Sequence, residues 1–318
     1  MAANWMRRTV MVAACASAAL LAACGSSTTD SAINPTRFIA FGDATADVGQ
    51  NGSRYTVNDA SIGNWTRQVA AKYDKPLTAV SAGGTSYAVG NARIKTKPDA
   101  AGNASTPTVS DQIGTFLAGG GSFGSSDVVF MSGGVSDLIA STAAVQAATL
   151  TDAAMLVAAR QAGEDMAAQV KRLVNAGAKY VVVTGTYDLG KTPWAKAIGR
   201  ESLLSNASSR FNEGLLVGIV DLGANVLYVD SAYYVNLYTS SPGGFGFENA
   251  TDAVCTSVDA TNGIGIGAGQ VNSLLCNTST LRAGANQDKY TFADSVYMTP
   301  SAQRQFGIYA YDRLRARW

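Results

Sequence analysis

The sequence predicts a three-layer α/β/α sandwich in which helices cover both faces of one mostly parallel sheet. Short runs of β-branched and aromatic residues, typical of strands buried on both faces, alternate along the chain with longer segments of helical periodicity. Repeated strand–helix–strand order favours parallel strands joined by crossover helices. A chain of 318 residues, of which 47% are hydrophobic, is long enough to bury the core of such a domain.

Four apolar runs are the predicted strands of that sheet: Arg37–Phe41, Asp127–Met131, Lys179–Thr184 and Asn225–Asp230. Between the second and third runs, apolar residues recur at steps of three and four from Met155 to Leu173, which predicts one long helix that ends before Gly177. Further helices are predicted over residues 64–73, 205–222 and 299–315. In open parallel sheets ligands bind at the carboxyl ends of the strands, so functional residues are expected there.

The N-terminal segment is predicted to be a leader peptide rather than part of the fold. Arg7 and Arg8 precede an apolar run that is too short to span a bilayer but fits the hydrophobic part of a signal peptide. Residues 21–24 read Leu-Ala-Ala-Cys, which resembles a bacterial lipobox. We therefore expect residues 1–23 to be removed; an ordinary signal peptide followed by a chance cysteine is the alternative.

The lipobox makes Cys24 the expected lipidation site and the new N-terminus of a lipoprotein whose partner is a membrane. Residues 24–36, rich in Ser and Thr, are predicted to form a flexible tether, and residues 37–318 to form the folded domain. Gly25 after the cysteine favours sorting to the outer membrane, where the domain would face either the periplasm or the cell surface.

The charge balance and the absence of histidine exclude several classes of function. Lys and Arg number 24 against 23 Asp and Glu, so the chain lacks the basic excess that nucleic-acid binding normally needs. With no histidine, it has no imidazole general base, no Ser-His-Asp relay, no Cys/His zinc finger and no haem-binding histidine. Neither a cofactor nor a metal ion is expected.

The four cysteines of the chain predict one disulfide bond. Cys15 would leave with the leader and Cys24 would carry the lipid, which leaves Cys255 and Cys276 to pair in an oxidising compartment. The loop they close would stabilise the fold by roughly 3 kcal/mol in the chain-entropy model. Inside that loop, residues 263–269 are rich in glycine but lack the spacing of a dinucleotide-binding fingerprint, and a mobile loop is the favoured interpretation.

Four short blocks are distinctive: two follow predicted strands, one lies between those two, and one precedes the last predicted helix. They are residues 42–47 (Gly-Asp-Ala-Thr-Ala-Asp), 86–92 (Ser-Tyr-Ala-Val-Gly-Asn-Ala), 132–138 (Ser-Gly-Gly-Val-Ser-Asp-Leu) and 292–299 (Phe-Ala-Asp-Ser-Val-Tyr-Met-Thr). In this order they resemble the blocks of the SGNH hydrolases, also called GDSL esterases and lipases, and of their bacterial outer-membrane branch in particular. The resemblance covers nearly all of residues 37–318. It implies the flavodoxin-like sandwich of that family and its activity, the hydrolysis of ester bonds by a serine nucleophile.

Three positions depart from the catalytic residues that the resemblance implies. The first block of the family, Gly-Asp-Ser-Leu, supplies the nucleophile; here Asp43 is kept and Ala44 stands in place of the serine. Ser136 replaces the asparagine whose amide donates to the oxyanion, and Tyr297 replaces the histidine that acts as base. A methyl group cannot attack a carbonyl, and making a tyrosine of ordinary pKa a base at pH 7 costs about 4 kcal/mol.

Two positions keep the residues of the family. Gly90 matches the glycine whose backbone N–H would donate to the oxyanion, and Asp294 matches the acid that would orient the missing histidine. Because an unpaired carboxylate is costly to bury, we expect Asp294 to accept hydrogen bonds from the Tyr297 hydroxyl or from nearby backbone N–H groups. The alternative interpretation of Tyr297 is an aromatic side chain that fills the vacated cleft.

These losses predict a pseudoenzyme, a lipoprotein whose esterase-type domain binds a partner without cleaving it. The expected partner in a cleft widened at Ala44 is a lipid, an acylated glycan or a protein. The alternative is an esterase or lipase with residual or altered ester hydrolase activity, for which Thr45 is the substitute hydroxyl nearest in sequence. A shift of one residue is expected to turn the Thr45 side chain away from the position at the strand end.

A second motif competes with this interpretation. Residues 185–192 (Gly-Thr-Tyr-Asp-Leu-Gly-Lys-Thr) match the spacing of a phosphate-binding loop and follow a predicted strand. However, Asp188 would put a carboxylate among the N–H groups meant for phosphate, and Pro193 removes a donor where the helix should begin. We therefore expect neither a nucleotide nor a nucleic acid as partner.

Overall fold

Four parallel strands form the central sheet, in the order β1-β2-β3-β4. They are seen in a computed structural model that describes residues 33–318. The strands are β1 (Arg37–Gly42), β2 (Asp127–Ser132), β3 (Tyr180–Thr184) and β4 (Val226–Tyr228). The register pairs Gly42 with Ser132 and Ser132 with Thr184. The carboxyl ends of the first three strands therefore emerge side by side.

Eight α-helices accompany the sheet within residues 33–318. They are α1 (Trp65–Ala71), α2 (Val109–Ala118), α3 (Val135–Gln146), α4 (Asp152–Asn175), α5 (Pro193–Ala197), α6 (Glu201–Gly218), α7 (Ser231–Ser240) and α8 (Pro300–Arg317). On one face of the sheet, Phe38 packs with Trp65 of α1 and Phe306 of α8. On the other face, Ile39 belongs to a cluster with Phe211 of α6. Successive strand residues thus face opposite helical layers, and the predicted three-layer α/β/α sandwich is confirmed.

The long helix predicted from Met155 to Leu173 is α4, and its prediction is confirmed. Both of these residues are buried, and the Thr151 side chain caps the helix by accepting the N–H of Ala154. Gly177, at a φ of 103°, takes the left-handed backbone that ends the helical segment. The other three predicted helices correspond to α1, α6 and α8, with their ends shifted by a few residues.

The fourth strand is shorter than predicted. The apolar run suggested Asn225–Asp230, but the strand ends at Tyr228. Asp230 instead precedes α7, where its carboxylate accepts the backbone N–H of Tyr233 at 3.0 Å. The predicted strand was too long because Asp230 caps the next helix, and the pattern of apolar residues does not show where a helix cap lies.

The predicted signal peptide, the lipidation site Cys24 and most of the tether lie outside the described residues. The end of the tether lies within them. Ile33 is 7% exposed and belongs to the cluster that contains Trp65, and Thr36 donates its N–H to the carbonyl of Ser126 at 3.2 Å. Residues that composition assigned to the tether are thus packed on the domain. Within residues 33–318, no helix has the length and apolar character needed to cross a membrane.

The predicted disulfide bond between Cys255 and Cys276 is confirmed. It closes residues 255–276, which we call the disulfide loop. Two short strands, β6 (Val258–Asp259) and β7 (Gln270–Val271), lie within it, and two more, β5 (Asn249–Ala253) and β8 (Tyr290–Phe292), lie on either side of it in the sequence. Ile264, inside the glycine-rich segment, is 1% exposed and shares a buried cluster with Ile139. The segment interpreted as a mobile loop therefore packs against the domain through a buried side chain.

Candidate active site

The blocks that resemble the SGNH family converge at the carboxyl end of the sheet. Ala44 follows β1, Ser136 lies in the first turn of α3, and Tyr297 lies between β8 and α8. Ala44 and Tyr297 belong to one buried cluster. The backbone N–H of Ser136 interacts with the carboxylate of Asp43, the neighbour of Ala44. The structure thus brings together three positions that are far apart in the sequence.

Ala44 is 2% exposed, and the adjacent Thr45 is held in the turn that follows β1. The Thr45 hydroxyl donates to Oδ1 of Asp43 at 2.7 Å, and the Thr45 N–H donates to the same oxygen at 3.0 Å. Short polar side chains that bond to the backbone two residues on are typical of tight turns. The same hydroxyl lies 2.9 Å from Oγ of Ser132. Thr45 is therefore engaged in the turn at the end of β1.

Asp43 is fully buried beside the N-terminus of α3. Burial raises the pKa of its carboxyl, while the hydrogen bonds from Thr45 and the nearby N–H groups of Val135 and Ser136 oppose that rise, and the net shift is upward. The positive end of a helix dipole favours a carboxylate at this place. Asp43 thus lies between the turn after β1, to which its Oδ1 is bonded, and the first turn of α3, while its Oδ2 has no hydrogen-bond partner among residues 33–318.

Gly90, which the resemblance implies to be an oxyanion donor, already donates its N–H to another residue of the chain. It donates to Oδ2 of Asp47 at 2.8 Å. Oδ1 of Asp47 accepts the N–H groups of Gly49 and Gln50 at 2.9 and 2.8 Å. Burial raises the pKa of Asp47, which is 2% exposed. The N–H of Gly90 therefore already has an acceptor, and that acceptor is a carboxylate of this chain.

The sequence did not point to Tyr55, whose ring covers Gly90. A Cβ atom placed on Gly90 would lie 2.0 Å from the Tyr55 hydroxyl oxygen. The ring also packs edge-to-face against Tyr297, with the two centroids 4.9 Å apart and the planes inclined by 68°. Tyr55 thus contacts both the retained glycine and the residue at the base position. No recognised block contains Tyr55, so motif spacing had no means of finding it.

The residue after Gly90 has a backbone conformation that sequence reasoning also missed. Asn91 has a φ of 60°, in the left-handed region that asparagine enters more readily than most residues. Its Nδ2 donates to the carbonyl of Gly263 at 2.8 Å, inside the disulfide loop. Asn91 therefore ties the site to that loop. The Gly-Asn pair is the turn signal that would have indicated it.

Ser136, at the position of the oxyanion asparagine, is completely buried. Its hydroxyl has no hydrogen-bond partner among residues 33–318. Buried hydroxyls without a protein partner are commonly satisfied by an ordered water molecule. Ser136 thus offers one hydroxyl where the family offers the amide of an asparagine.

Asp294, at the position of the triad acid, is held by backbone N–H groups. Its Oδ1 accepts the N–H groups of Val296 and Tyr297, each at 2.7 Å, and its Oδ2 accepts that of Ser273 at 3.1 Å. Burial raises the pKa of this carboxyl, and the hydrogen bonds oppose the rise. Of the two kinds of donor that the sequence predicted, the backbone groups are the ones observed. Through Ser273, Asp294 also anchors the disulfide loop.

Tyr297 fills space and does not pair with Asp294 through its hydroxyl. Its side chain is 1% exposed, and within residues 33–318 its hydroxyl has no hydrogen-bond partner. Burial raises the pKa of Tyr297 well above the ordinary value, and the neighbouring Tyr187 and Tyr55 add to the rise. The phenol is therefore protonated at neutral pH. This geometry matches the interpretation of Tyr297 as an aromatic filler.

The cleft predicted to be widened at Ala44 is closed. Tyr55, Tyr187 and Tyr297 pack with Ala44 in one buried cluster. Ala44 and Tyr297 are 2% and 1% exposed, and a neighbouring cavity, lined in part by Thr45 and Tyr187 but not by Ala44, holds only about 10 Å³. The prediction was wrong because aromatic rings occupy the volume that a lost serine hydroxyl and a lost imidazole would otherwise leave open.

Comparison with known proteins decides the family of this chain. Residues 38–309 match the family described as GDSL-like Lipase/Acylhydrolase. The chain belongs to the GDSL-like lipase/acylhydrolase family. The match begins in β1 and ends in α8, so it includes every site position from Asp43 to Tyr297. The resemblance to GDSL esterases and lipases is thereby confirmed.

A weaker similarity relates this GDSL-like lipase/acylhydrolase chain to a protein of Pseudomonas putida. That protein is named "Uncharacterized protein in trpE-trpG intergenic region" and is 28% identical over 160 residues. The aligned part is 50% of this chain and 26% of the Pseudomonas protein. The similarity thus spans about a quarter of the length of that relative, whose name states no activity.

In the described part of this GDSL-like chain, the residues of the phosphate-loop motif do not form a phosphate-binding loop, and no group of side chains forms a metal site. The N–H of Leu189 donates to the Ser208 hydroxyl at 3.1 Å, and the N–H of Gly190 donates to Oδ1 of Asp188 at 3.0 Å. These donors of the motif are bonded to the protein itself and not free to hold a phosphate. Within residues 33–318, no three His, Cys, Asp or Glu side chains are grouped to hold a metal ion.

Proposed function

We propose that this GDSL-like lipase/acylhydrolase is a non-hydrolytic member of its family that acts by binding. The observation that carries the proposal is Ala44, a methyl group at the nucleophile position, buried with Tyr55 and Tyr297. The chain has no histidine to serve as base, and the N–H of Gly90 is bonded to Asp47. Acyl transfer needs an activated nucleophile and free oxyanion donors. Here position 44 carries no nucleophile, and of the two oxyanion positions the N–H of Gly90 is already bonded, which leaves the Ser136 hydroxyl.

The expected decrease in the rate of ester hydrolysis follows from what each missing catalytic group contributes. In a well-studied serine protease, removal of the nucleophile or of its base costs on the order of 10⁶ in rate. What remains in that enzyme comes from the oxyanion hole and from substrate binding. Here the oxyanion position carries Ser136, and the space beside Ala44 is filled. We therefore expect ester hydrolysis at the background rate.

Covalent labelling and ester hydrolysis test this proposal. Wild-type protein is treated with a fluorophosphonate probe, which labels activated hydroxyls, and its rate on p-nitrophenyl butyrate is measured. Asp294→Asn is the control, because it changes the triad-acid position while keeping a side chain of the same shape. We expect no labelling and equal rates. Labelling of the wild type, with turnover well above Asp294→Asn, would overturn the proposal in favour of residual esterase activity, with Thr45 as the first hydroxyl to map.

Because the cleft at Ala44 is closed, a ligand would have to bind at another surface. A groove of about 540 Å³ lies between α6, β4 and α7. Its lining residues carry hydroxyl, amide and carboxylate groups, a tyrosine ring and the apolar side chains of Leu216 and Val217; the polar ones include Ser205, Ser209, Asn236, Asp188 and Asp230. None of the described residues that line it is a lysine or an arginine. Of a lipid, a glycan and a protein, we propose the glycan, because neutral sugar hydroxyls match such donors and acceptors.

Titration with soluble oligosaccharides of the bacterial cell envelope tests the glycan assignment. Asn236→Ala removes an exposed amide from the groove, and Gln161→Ala removes an exposed amide from α4 outside it. We expect Asn236→Ala to weaken binding about tenfold, the cost of one hydrogen bond, and Gln161→Ala to leave it unchanged. Binding to phospholipid vesicles without binding to any oligosaccharide would contradict the assignment.

We further propose that the protein is a lipoprotein of the outer membrane, anchored through Cys24. The support is the lipobox-like Leu-Ala-Ala-Cys sequence, followed by Gly25. Mass spectrometry of the purified protein is expected to show a diacylated cysteine at the N-terminus, and Cys24→Ser is expected to release the protein from membranes. An unmodified N-terminus at another residue would contradict the anchor.

A further inference from the structure

We infer that Tyr55 is the side chain that closes the catalytic position, and that removing its ring exposes position 44 to small molecules. Tyr55 stands outside every block that resembles the family. The inference rests on the proposed function only in that both concern the same site. With Tyr55 closing that site, the three replaced residues do not by themselves explain why the site is inactive.

The position of the Tyr55 ring is defined by contacts on two sides. On one side it lies against Gly90, where an added Cβ would meet Cε2, Cζ and the hydroxyl oxygen of Tyr55 at 2.0–2.1 Å. On the other side its centroid is 4.9 Å from that of Tyr297. The next residue, Thr56, donates its hydroxyl to the carbonyl of Met298 at 2.9 Å. This hydrogen bond fixes the chain that carries Tyr55 to the segment that carries Tyr297.

The ring lies beside the positions at which the family resemblance places the reacting groups. A reacting carbonyl must contact the nucleophile and the oxyanion donors at once. The family resemblance puts these functions at positions 44 and 90, and the base at position 297. Tyr55 touches Gly90 and Tyr297 and shares a buried cluster with Ala44. Restoring serine, asparagine and histidine therefore leaves the Tyr55 ring packed against positions 90 and 297.

Chemical access to position 44 tests the inference without requiring catalysis. Ala44→Cys places a thiol at the nucleophile position, and Cys255 and Cys276 do not compete because they are joined in a disulfide. Alkylation by iodoacetamide is followed by mass spectrometry of the peptide that contains residue 44. Three full-length proteins are compared: Ala44→Cys alone, with Tyr55→Ala, and with Tyr55→Phe. The thiol stands beside Asp43 in all three proteins, and the ratio of their alkylation rates reports access to position 44.

We expect Tyr55→Ala to raise the alkylation rate about 100-fold, since the reagent no longer waits for local opening of the site. Tyr55→Phe keeps the ring and is expected to react as slowly as Ala44→Cys alone. Equal rates for the alanine and phenylalanine variants overturn the inference. Circular dichroism and the unfolding midpoint monitor the fold; should Tyr55→Ala unfold, Tyr55→Leu, which retains apolar volume but does not reach Gly90, replaces it in the same comparison.

Reconstruction of the active site gives a second readout. The triple variant Ala44→Ser/Ser136→Asn/Tyr297→His is prepared with and without Tyr55→Ala, and both proteins are treated with the fluorophosphonate probe. We expect labelling only when Tyr55 is also replaced. Equal labelling of the triple variant by itself overturns the inference, yet leaves the proposed function standing if the wild type stays inert. Labelling of the wild type overturns the proposed function and leaves the alkylation result unaffected.

Discussion

The edge of the Tyr55 ring lies against Gly90 so closely that a Cβ atom at position 90 would come within 2.0 Å of the phenolic oxygen. This contact gives Gly90 a reason to be glycine that is independent of catalysis. Its N–H is likewise bonded to Asp47. A residue that looks like a remnant of an oxyanion hole therefore has a packing role in this chain.

That contact predicts strong coupling between the two residues. Gly90→Ala is expected to lower the free energy of unfolding by about 3 kcal/mol, because the new methyl group overlaps the Tyr55 ring. The Gly90→Ala/Tyr55→Ala double variant is expected to lose less free energy of unfolding than the sum of the two single losses, since the overlap is gone. Urea unfolding of the wild type, both single variants and the double variant measures the coupling. Strictly additive losses would show that the contact is not the cause.

Asp294 is expected to support the fold in the absence of catalysis. Its carboxylate accepts the N–H groups of Ser273, Val296 and Tyr297, all in the interior. Asp294→Ala leaves these donors unsatisfied and is expected to cost about 3 kcal/mol. Asp294→Asn keeps one carbonyl oxygen as acceptor and is expected to cost less. Thermal unfolding checks the order, and an alanine variant as stable as the wild type would disprove it.

The raised pKa of Asp137 predicts that the free energy of unfolding falls as the pH rises. Asp137 lies in the first turn of α3, where burial raises its pKa from the ordinary 3.8 to about 6 despite the nearby Arg93. A carboxyl whose pKa is higher in the folded state binds its proton more tightly there. Its contribution is therefore greatest in acid and is lost between pH values of about 4 and 6.

The pH prediction is measured as a difference between two proteins. From pH 4 to pH 7, the wild type is expected to lose on the order of 2 kcal/mol more stability than Asp137→Asn, which cannot titrate. Urea unfolding at several pH values provides the two curves. Parallel curves across this range would mean that Asp137 ionises in the folded protein as it does in the unfolded chain.

The disulfide loop is expected to depend on its covalent closure. Cys255 and Cys276 are separated by 21 residues, and both are buried. Replacing both by alanine is expected to lower the free energy of unfolding by about 3 kcal/mol, chiefly by freeing the unfolded chain. Wild-type protein unfolded under reducing conditions is the matched control and is expected to lose a similar amount. A loss below about 1 kcal/mol would show that packing alone holds the loop.

Much of the fold was predictable because its signals are local. The strand that ends at Gly42 and the helix over Asp152–Asn175 are each written in the periodicity of their own residues. The disulfide followed from counting cysteines. Local signals gave the wrong end for the fourth strand, because Asp230 ends the apolar run but caps the next helix.

The sequence by itself determined which chemical groups are present at the family positions: a methyl group at 44, a hydroxyl at 136 and a phenol at 297. Only the tertiary structure decided what fills the space between them. Tyr55 covers Gly90, Asp47 takes its N–H, and Asp294 holds the disulfide loop through Ser273. A motif records the identity of residues at fixed spacing, whereas closure of a cleft depends on close packing among side chains distant in the chain, and that packing exists only once the chain has folded.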